Sequence, residues 1–63
     1  MMKVKEILEK TEGVVLISKK EKIVADNVDI LGDIEKYENE DVIALTTFYA
    51  RSGLYKYGLI IGI

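Results

Sequence analysis

The hydrophobic positions near the start of the chain recur with the spacing of a helix. Four residues spaced i, i+3, i+4 and i+7 form a single apolar stripe: Val4, Ile7, Leu8 and Thr11. This pattern predicts a short amphipathic helix over residues 2–12, followed by Gly13 at a position suited to a left-handed residue. Since so short a helix is unstable alone in water, we expect its stripe to pack on a sheet.

Two short runs rich in β-branched residues, 14–18 and 23–25, flank a charged segment of hairpin length. This arrangement predicts a β-hairpin that turns around Lys20 and Glu21. The same turn would place Ile17 opposite Val24.

The middle of the chain is less regular and is acidic. Asp33 is suited to cap a single helical turn that directs Ile34 and Tyr37 inward. Seven carboxylates lie in residues 26–41, and we interpret them as a solvated loop, with Ca²⁺ binding as the alternative. They are Asp26, Asp29, Asp33, Glu35, Glu38, Glu40 and Asp41.

The last third of the chain predicts a second β-hairpin, over residues 41–62. Arg51-Ser52-Gly53 suits a three-residue loop closed by a left-handed glycine, which would place Tyr49 opposite Tyr55. Both faces of this hairpin are mostly apolar, whereas a sheet with one wet face alternates apolar and polar residues. Each face therefore needs a cover: the helix for one, and the first hairpin or a second copy of the chain for the other.

These elements predict one α+β domain over residues 1–63. We expect an N-terminal helix packed on a small, strongly curved antiparallel sheet of about four strands, with a barrel-like closure as one form of it. We also expect one face of the last hairpin to form an interface with another copy or with a protein partner. The predicted interface residues are Ile43, Leu45, Tyr49, Tyr55, Tyr57, Leu59 and Ile61.

The order of these elements is similar to that of known small proteins. The run Met2–Leu8, leading through Gly13 into a β-branched strand, resembles short reading frames of phages and prophages, which implies a phage-type accessory protein. A helix followed by about five bent strands also resembles an Sm-like barrel. The Sm-type glycine of the second strand and the polar RNA-contacting loop residues are missing from this sequence.

Composition strengthens the expectation of association. A chain of 63 residues buries only ~60% of its unfolded surface, so it needs reinforcement, yet 49% of its residues are hydrophobic. The chain has no Cys and no His, so disulfides, thiolate metal sites and the commonest general base are excluded. We predict no cofactor and no bound metal, and a homo-oligomer or a complex with a protein partner.

The same composition predicts where the chain works. Its longest uninterrupted aliphatic run is residues 14–17, far from the ~20 residues of a membrane span. Charges interrupt the first ten residues, unlike the apolar core of a signal peptide. We therefore expect a cytoplasmic protein that does not enter a membrane.

Candidate chemistry is sparse. The Ser and Thr hydroxyls have no His to activate them, so we predict that the chain is not an enzyme. Instead, we predict a small non-catalytic interaction module that self-associates through its C-terminal hairpin. The alternative is a single-stranded nucleic-acid-binding protein whose hairpin tip combines cations with an aromatic ring: Arg51, Lys56 and Tyr55.

Overall fold

The computed structural model describes residues 2–28, 30–53 and 55–63. Its elements are one helix, one 3₁₀ turn and four strands: α1 (Val4–Lys10), β1 (Val15–Lys19), β2 (Lys22–Asp26), the 3₁₀ turn (Ile34–Tyr37), β3 (Ala44–Tyr49) and β4 (Tyr57–Gly62). The fold is α+β, with an N-terminal helix, a four-stranded sheet and a C-terminal hairpin formed by β3 and β4, as predicted.

The sheet is mixed, with the strand order β2-β1-β4-β3. The pairs β1–β2 and β3–β4 are antiparallel hairpins, but the central strands β1 and β4 are parallel. This central pairing differs from the expected antiparallel sheet because residues 27–43 carry the chain from one edge to the other, and β4 then returns between β3 and β1. The sheet is open, with β2 and β3 at its outer edges, so the barrel-like closure does not form.

The helix is held to the sheet by its apolar stripe and by its first turn. Val4 is fully buried, and Ile7 and Leu8 pack against the core, which confirms these three positions of the predicted stripe, while Thr11 lies just beyond the end of the helix. At the start of the helix, the N–H of Val4 donates to the carbonyl of Glu40, and the next N–H donates to the carbonyl of Glu38, both at 3.0 Å. The segment before β3 thus satisfies donors that a helix N-terminus leaves free.

An ion pair lies beside this junction. The Lys3 ammonium lies 2.6 Å from a carboxylate oxygen of Asp41. The hydrogen bond and opposite charge raise the pKa of Lys3 and lower that of Asp41. Because both side chains are close to half exposed, this ion pair contributes little to the free energy of folding.

The core lies between the helix, the 3₁₀ turn and one face of the sheet. Asp33 accepts a hydrogen bond from the N–H of Glu35 at 3.0 Å, and the turn that follows buries Ile34 and packs Tyr37 on the core, as predicted. The buried cluster draws on every strand except β3: Val4, Val15, Ile17, Ala25, Ile34 and Ile61.

The first hairpin turns at Lys20 and Glu21, as predicted, although neither is a glycine. Their φ angles are +52° and +66°, the left-handed pair that a two-residue hairpin turn requires. Beyond the turn the register differs from prediction, because a bulge between Ile17 and Ser18 places Ile17 opposite Ala25.

The side chain of Asn27 stabilises this shifted register from the far end. Its amide oxygen accepts a bond from the N–H of Val15 at 2.8 Å, and its amide nitrogen donates to the carbonyl of Gly13 at 2.7 Å. The Asn27 N–H also donates to the carbonyl of Val15. Asn27 therefore extends the pairing with β1 by one residue beyond β2.

The second hairpin also has a different register from the predicted one. Tyr49 lies opposite Tyr57, two residues from the expected partner, and the loop closes where the Ala50 N–H donates to the carbonyl of Lys56 at 2.6 Å. This register places Phe48 opposite Gly58, where a Cβ would lie 2.9 Å from the Phe48 ring. The aromatic ring fills the space over the glycine, and a larger residue there would displace it. A two-residue shift preserves which residues share a face.

Candidate functional site

The outer edge of β3 is open. The Ala50 N–H bonds Lys56 across the hairpin, so even-numbered residues of β3 direct their backbone groups towards β4. On the other side of β4, the Leu59 N–H donates to the carbonyl of Val14, just before β1, and the Ile63 N–H donates to that of Ser18 in β1, which gives the same alternation. The backbone groups of Leu45, Thr47 and Tyr49 therefore point away from the sheet, where no strand of the described residues pairs with them.

This open edge has no charged residue to discourage pairing. Residues 42–50 read Val-Ile-Ala-Leu-Thr-Thr-Phe-Tyr-Ala, without a charge, a proline or a glycine. Natural edge strands are usually blocked by lysine, proline or a bulge, or covered by another segment. β3 runs straight through six residues with regular pairing to β4.

Large apolar side chains are exposed along the same edge. The helix and the 3₁₀ turn cover the centre of one sheet face, but the part of this face formed by β3 lies beyond them. The exposed fractions are 74% for Ile43, 50% for Leu45, 80% for Tyr49 and 67% for Tyr57. Together with Thr47, these four residues form one exposed patch on this face of the sheet.

Two residues predicted for the interface lie in the core instead. Ile61 is fully buried opposite Ile17 of β1, and Leu59 packs against the core from the same face. The prediction placed both hairpin strands at the interface, but the parallel pairing of β4 with β1 makes β4 a central strand. Among the predicted interface residues that the structure describes, the exposed ones are Ile43, Leu45, Tyr49 and Tyr57, which lie in or next to β3 or at the start of β4.

Tyr55 is also placed differently from the prediction. It lies in the loop of the second hairpin, half-buried, and its hydroxyl donates to a carboxylate oxygen of Asp26 at 2.6 Å. Asp26 lies opposite Leu16, so Tyr55 reaches over the second face of the sheet to the far strand. Burial and the hydrogen bond to Asp26 raise the pKa of the Tyr55 hydroxyl to about 12.

Asp26 is the polar residue whose role the sequence pattern did not reveal. It is fully buried, although we predicted a solvated loop, and its carboxylate accepts bonds from the N–H groups of Val28, Ile30 and Leu31 at 2.7–3.0 Å. Burial raises the pKa of Asp26, but these bonds and the one from Tyr55 outweigh it and hold the pKa at about 2. Asp26 thus organises the loop after β2, in which Asp29 lies outside the described residues.

The only signal for this role in the sequence is local. Asp26 ends a strand and is followed by Asn27, a residue type that favours turns. Carboxylates in such positions accept bonds from backbone N–H groups two residues on, as Asp26 does with Val28. The contact with Tyr55 joins residues 29 positions apart, so local pattern could not predict it.

The predicted nucleic-acid residues do not form one cluster around Tyr55. Arg51 and Lys56 are exposed in the hairpin loop, whereas the Tyr55 hydroxyl is bonded to Asp26. The exposed aromatic pair near these cations is Tyr49 and Tyr57, directly opposite each other.

Other kinds of site receive no support from the described residues. Among them, no group of three or more acidic side chains is arranged to hold a metal ion, and no helix is long and apolar enough to cross a membrane. The same residues enclose no detectable pocket. No protein-family model, no curated protein and no solved structure matches this chain.

Proposed function

We propose that the chain is a small non-catalytic protein–protein interaction module that self-associates through its C-terminal hairpin. The observation that carries this proposal is the open, uncharged outer edge of β3, bordered by exposed Leu45 and Tyr49. Strand addition to such an edge supplies backbone hydrogen bonds, and alternate side chains supply the contacts that select the partner. The proposal includes a cytoplasmic location.

Contacts between the exposed side chains along β3 would contribute free energy to association. Full burial of a large apolar side chain is worth roughly 1.5–3 kcal/mol. Ile43, Leu45 and Tyr49 are each at least half exposed, so cross-strand contacts at β3 recover part of this value from each side chain. Association entropy opposes this gain, but a rigid strand loses little conformational freedom when it pairs.

Sedimentation of the purified chain tests the proposal. We expect the mass to exceed the 7.1 kDa of one chain as concentration rises. Thr47→Lys should return the mass to that of one chain, because it places a charge at the centre of the open edge. Ser52→Lys adds the same charge in the exposed hairpin loop and should leave the mass unchanged from wild type.

A folded wild-type chain that stays monomeric at high concentration would contradict the proposal. Equal masses for the two lysine variants would contradict the assignment to β3. Circular dichroism of each variant separates a lost interface from a lost fold, since both substituted side chains, Thr47 and Ser52, are exposed.

Single-stranded nucleic acid is the second candidate, favoured by the exposed Tyr49–Tyr57 pair beside Arg51 and Lys56. Bases of the nucleic acid would stack on the rings of Tyr49 and Tyr57, while the Tyr55 hydroxyl stays hydrogen-bonded to Asp26. Fluorescence anisotropy with a labelled oligonucleotide at low salt tests it. Tight binding that weakens on Arg51→Ala and Tyr57→Ala would replace self-association as the main function, and absence of binding ends this candidate.

A further inference from the structure

We propose that the occupant of the β3 edge is a second copy of this chain, paired antiparallel about a two-fold axis that passes beside Thr47. The inference rests on the proposed self-association and names its geometry. The two sheets would join into one continuous sheet of eight strands, with identical β3 strands at its centre.

Backbone hydrogen bonds define the part of the edge that is free. The Ile43 N–H already donates to the carbonyl of Gly62, and the Ala50 N–H donates to Lys56. Between these two occupied groups, only Leu45, Thr47 and Tyr49 direct their N–H and C=O groups outward. The free window is therefore three alternate residues long, with Thr47 at its centre.

One register satisfies this window completely. With Thr47 opposite Thr47 of the second copy, Leu45 lies opposite Tyr49, and each outward residue meets another outward residue. Each of the three pairs exchanges two bonds, so about six hydrogen bonds form. A shift of the axis to Thr46 would place Tyr49 opposite Ile43, whose N–H is already used within its own chain.

The side chains fit the same register. Leu45 and Tyr49 lie on one face of β3, so the pairing brings both apolar side chains of each copy together across the axis, next to the exposed Tyr57. Thr47 supplies a β-branched pair at the centre, a residue type suited to strands.

Charge also favours antiparallel pairing of two copies. Asp41, whose carboxylate also contacts Lys3 within its own chain, precedes β3 and Arg51 follows it, with no charged residue between them. Antiparallel pairing brings the Arg51 end of one strand to the Asp41 end of the other, whereas parallel pairing would place each charge beside its own kind. An edge that carries opposite charges at its two ends is complementary to itself under a two-fold axis.

Single-cysteine variants test the register, because the chain contains no cysteine of its own. In the proposed dimer the two Thr47 Cα atoms lie about 5.5 Å apart, within the range that a disulfide spans. Thr47→Cys should therefore crosslink to itself rapidly under mild oxidation. The two copies of Leu45 lie four residues apart along the strands, about 13 Å, and Leu45→Cys should not crosslink to itself.

A mixture supplies the matched control. Leu45→Cys and Tyr49→Cys should each remain uncrosslinked alone, yet form a mixed disulfide when combined, because Leu45 lies opposite Tyr49. We expect the mixed pair and Thr47→Cys to crosslink at least about tenfold faster than the single variants Leu45→Cys and Tyr49→Cys. These positions are exposed, so each reduced variant should keep the wild-type melting midpoint in dilute samples, where wild type is also monomeric.

The outcomes separate this inference from the proposed function. If the wild-type chain self-associates but Leu45→Cys crosslinks to itself as fast as Thr47→Cys, the register is wrong while self-association stands. If the wild-type chain sediments as a monomer and Thr47→Cys crosslinks no faster than the controls, both proposals fail. If Thr47→Cys and the mixed pair crosslink rapidly and the two single variants do not, the result supports both the register and self-association.

Discussion

The two edges of the sheet differ in how their backbone groups are protected. β2 begins at Lys22, is disrupted by a bulge near its middle, and ends at the buried Asp26. The loop after it returns along this edge, where the Asp26 N–H donates to the carbonyl of Gly32 at 3.3 Å and Asp26 forms an isolated bridge with Asp33. β3 has no charge, no bulge and, among the described residues, no covering segment.

Whether another segment covers the backbone of an edge strand, and not hydrophobicity alone, decides where a further strand can pair with this sheet. Both edge strands carry exposed aliphatic side chains, such as Ile23 on β2 and Leu45 on β3. On the β2 side, a buried carboxylate anchors a loop that occupies the edge. On the β3 side the backbone itself remains free, so a strand of a second copy can add to it.

Asp26→Ala should have the largest effect, because it removes the anchor of the covered edge. Three backbone N–H groups and the Tyr55 hydroxyl would lose their acceptor. Each hydrogen bond to a charged group is worth ~1.5–3 kcal/mol, but the cost of burying the Asp26 carboxylate offsets much of this total, so we expect a net loss of about 3 kcal/mol in the free energy of unfolding. Urea denaturation measures it.

Asp33→Ala is the matched control, since the exposed Asp33 accepts one backbone bond as a cap and should cost about 1 kcal/mol. Equal losses for the two variants would contradict the role given to Asp26.

The Asp26–Tyr55 contact also predicts a pH dependence at both extremes. The pKa of Asp26 is lowered from 3.8 to about 2, so its contribution to stability is present above pH 3.8 and is lost as the pH falls towards 2. The pKa of Tyr55 is raised from 10.0 to about 12, so its contribution is present below pH 10 and is lost as the pH rises towards 12.

Urea denaturation across pH in Asp26→Asn and Tyr55→Phe measures these two contributions. Asp26→Asn should flatten the acid loss, and Tyr55→Phe should flatten the alkaline loss. Tyr49→Phe, at an exposed position, is the control. An unchanged alkaline slope in Tyr55→Phe would show that the contact does not stabilise the fold.

Gly32→Ala should lift the cover from the β2 edge. A Cβ at Gly32 would lie 2.6 Å from the carbonyl oxygen of Val24, a backbone atom that cannot move aside cheaply. We expect a loss of roughly 1–3 kcal/mol, as for other overpacked sites, together with more aggregation.

Gly62→Ala provides the comparison, because its Cβ would meet the Ala44 side chain at 3.3 Å and should cost less. Thermal melts with light scattering measure both effects. A Gly32→Ala chain as stable and as soluble as wild type would indicate that the loop does not protect β2.

Thr47→Lys should have the smallest effect on the single chain. The side chain is exposed on the open edge, so the monomer's free energy of unfolding should change by no more than about 0.5 kcal/mol. Dilute samples, where wild type is also monomeric, allow this comparison by urea denaturation. A larger loss would mean that Thr47 has a structural role within the chain and is a poor probe of the interface.

Local patterns predicted the elements that depend on neighbours in sequence. The stripe from Val4 to Thr11, the turn at Lys20 and the cap at Asp33 each follow from residues within one or two turns of each other. The helix spans Val4–Lys10 and not residues 2–12, because the backbone of Lys3 and that of Thr11 are extended and end it on either side.

Long-range pairing could not be predicted in the same way. The parallel contact of β1 with β4 joins residues more than forty positions apart, and it is this contact that buries Ile61 and leaves β3 at the edge. The register of the second hairpin brings Gly58 against both the Phe48 ring and the carbonyl oxygen of Val14, contacts that a turn motif does not encode. The candidate surface was therefore predicted as a region, while its division into core and open edge required the structure.

Mixing two charge variants tests the central claim most directly. Thr47→Lys and Thr47→Glu should each sediment as the 7.1 kDa monomer, because the two-fold axis places like charges opposite each other. An equimolar mixture should form a heterodimer of twice that mass, which weakens as salt is added. A mixture that remains monomeric while the wild-type chain dimerises, or single variants that dimerise like wild type, would contradict pairing of two β3 edges at Thr47.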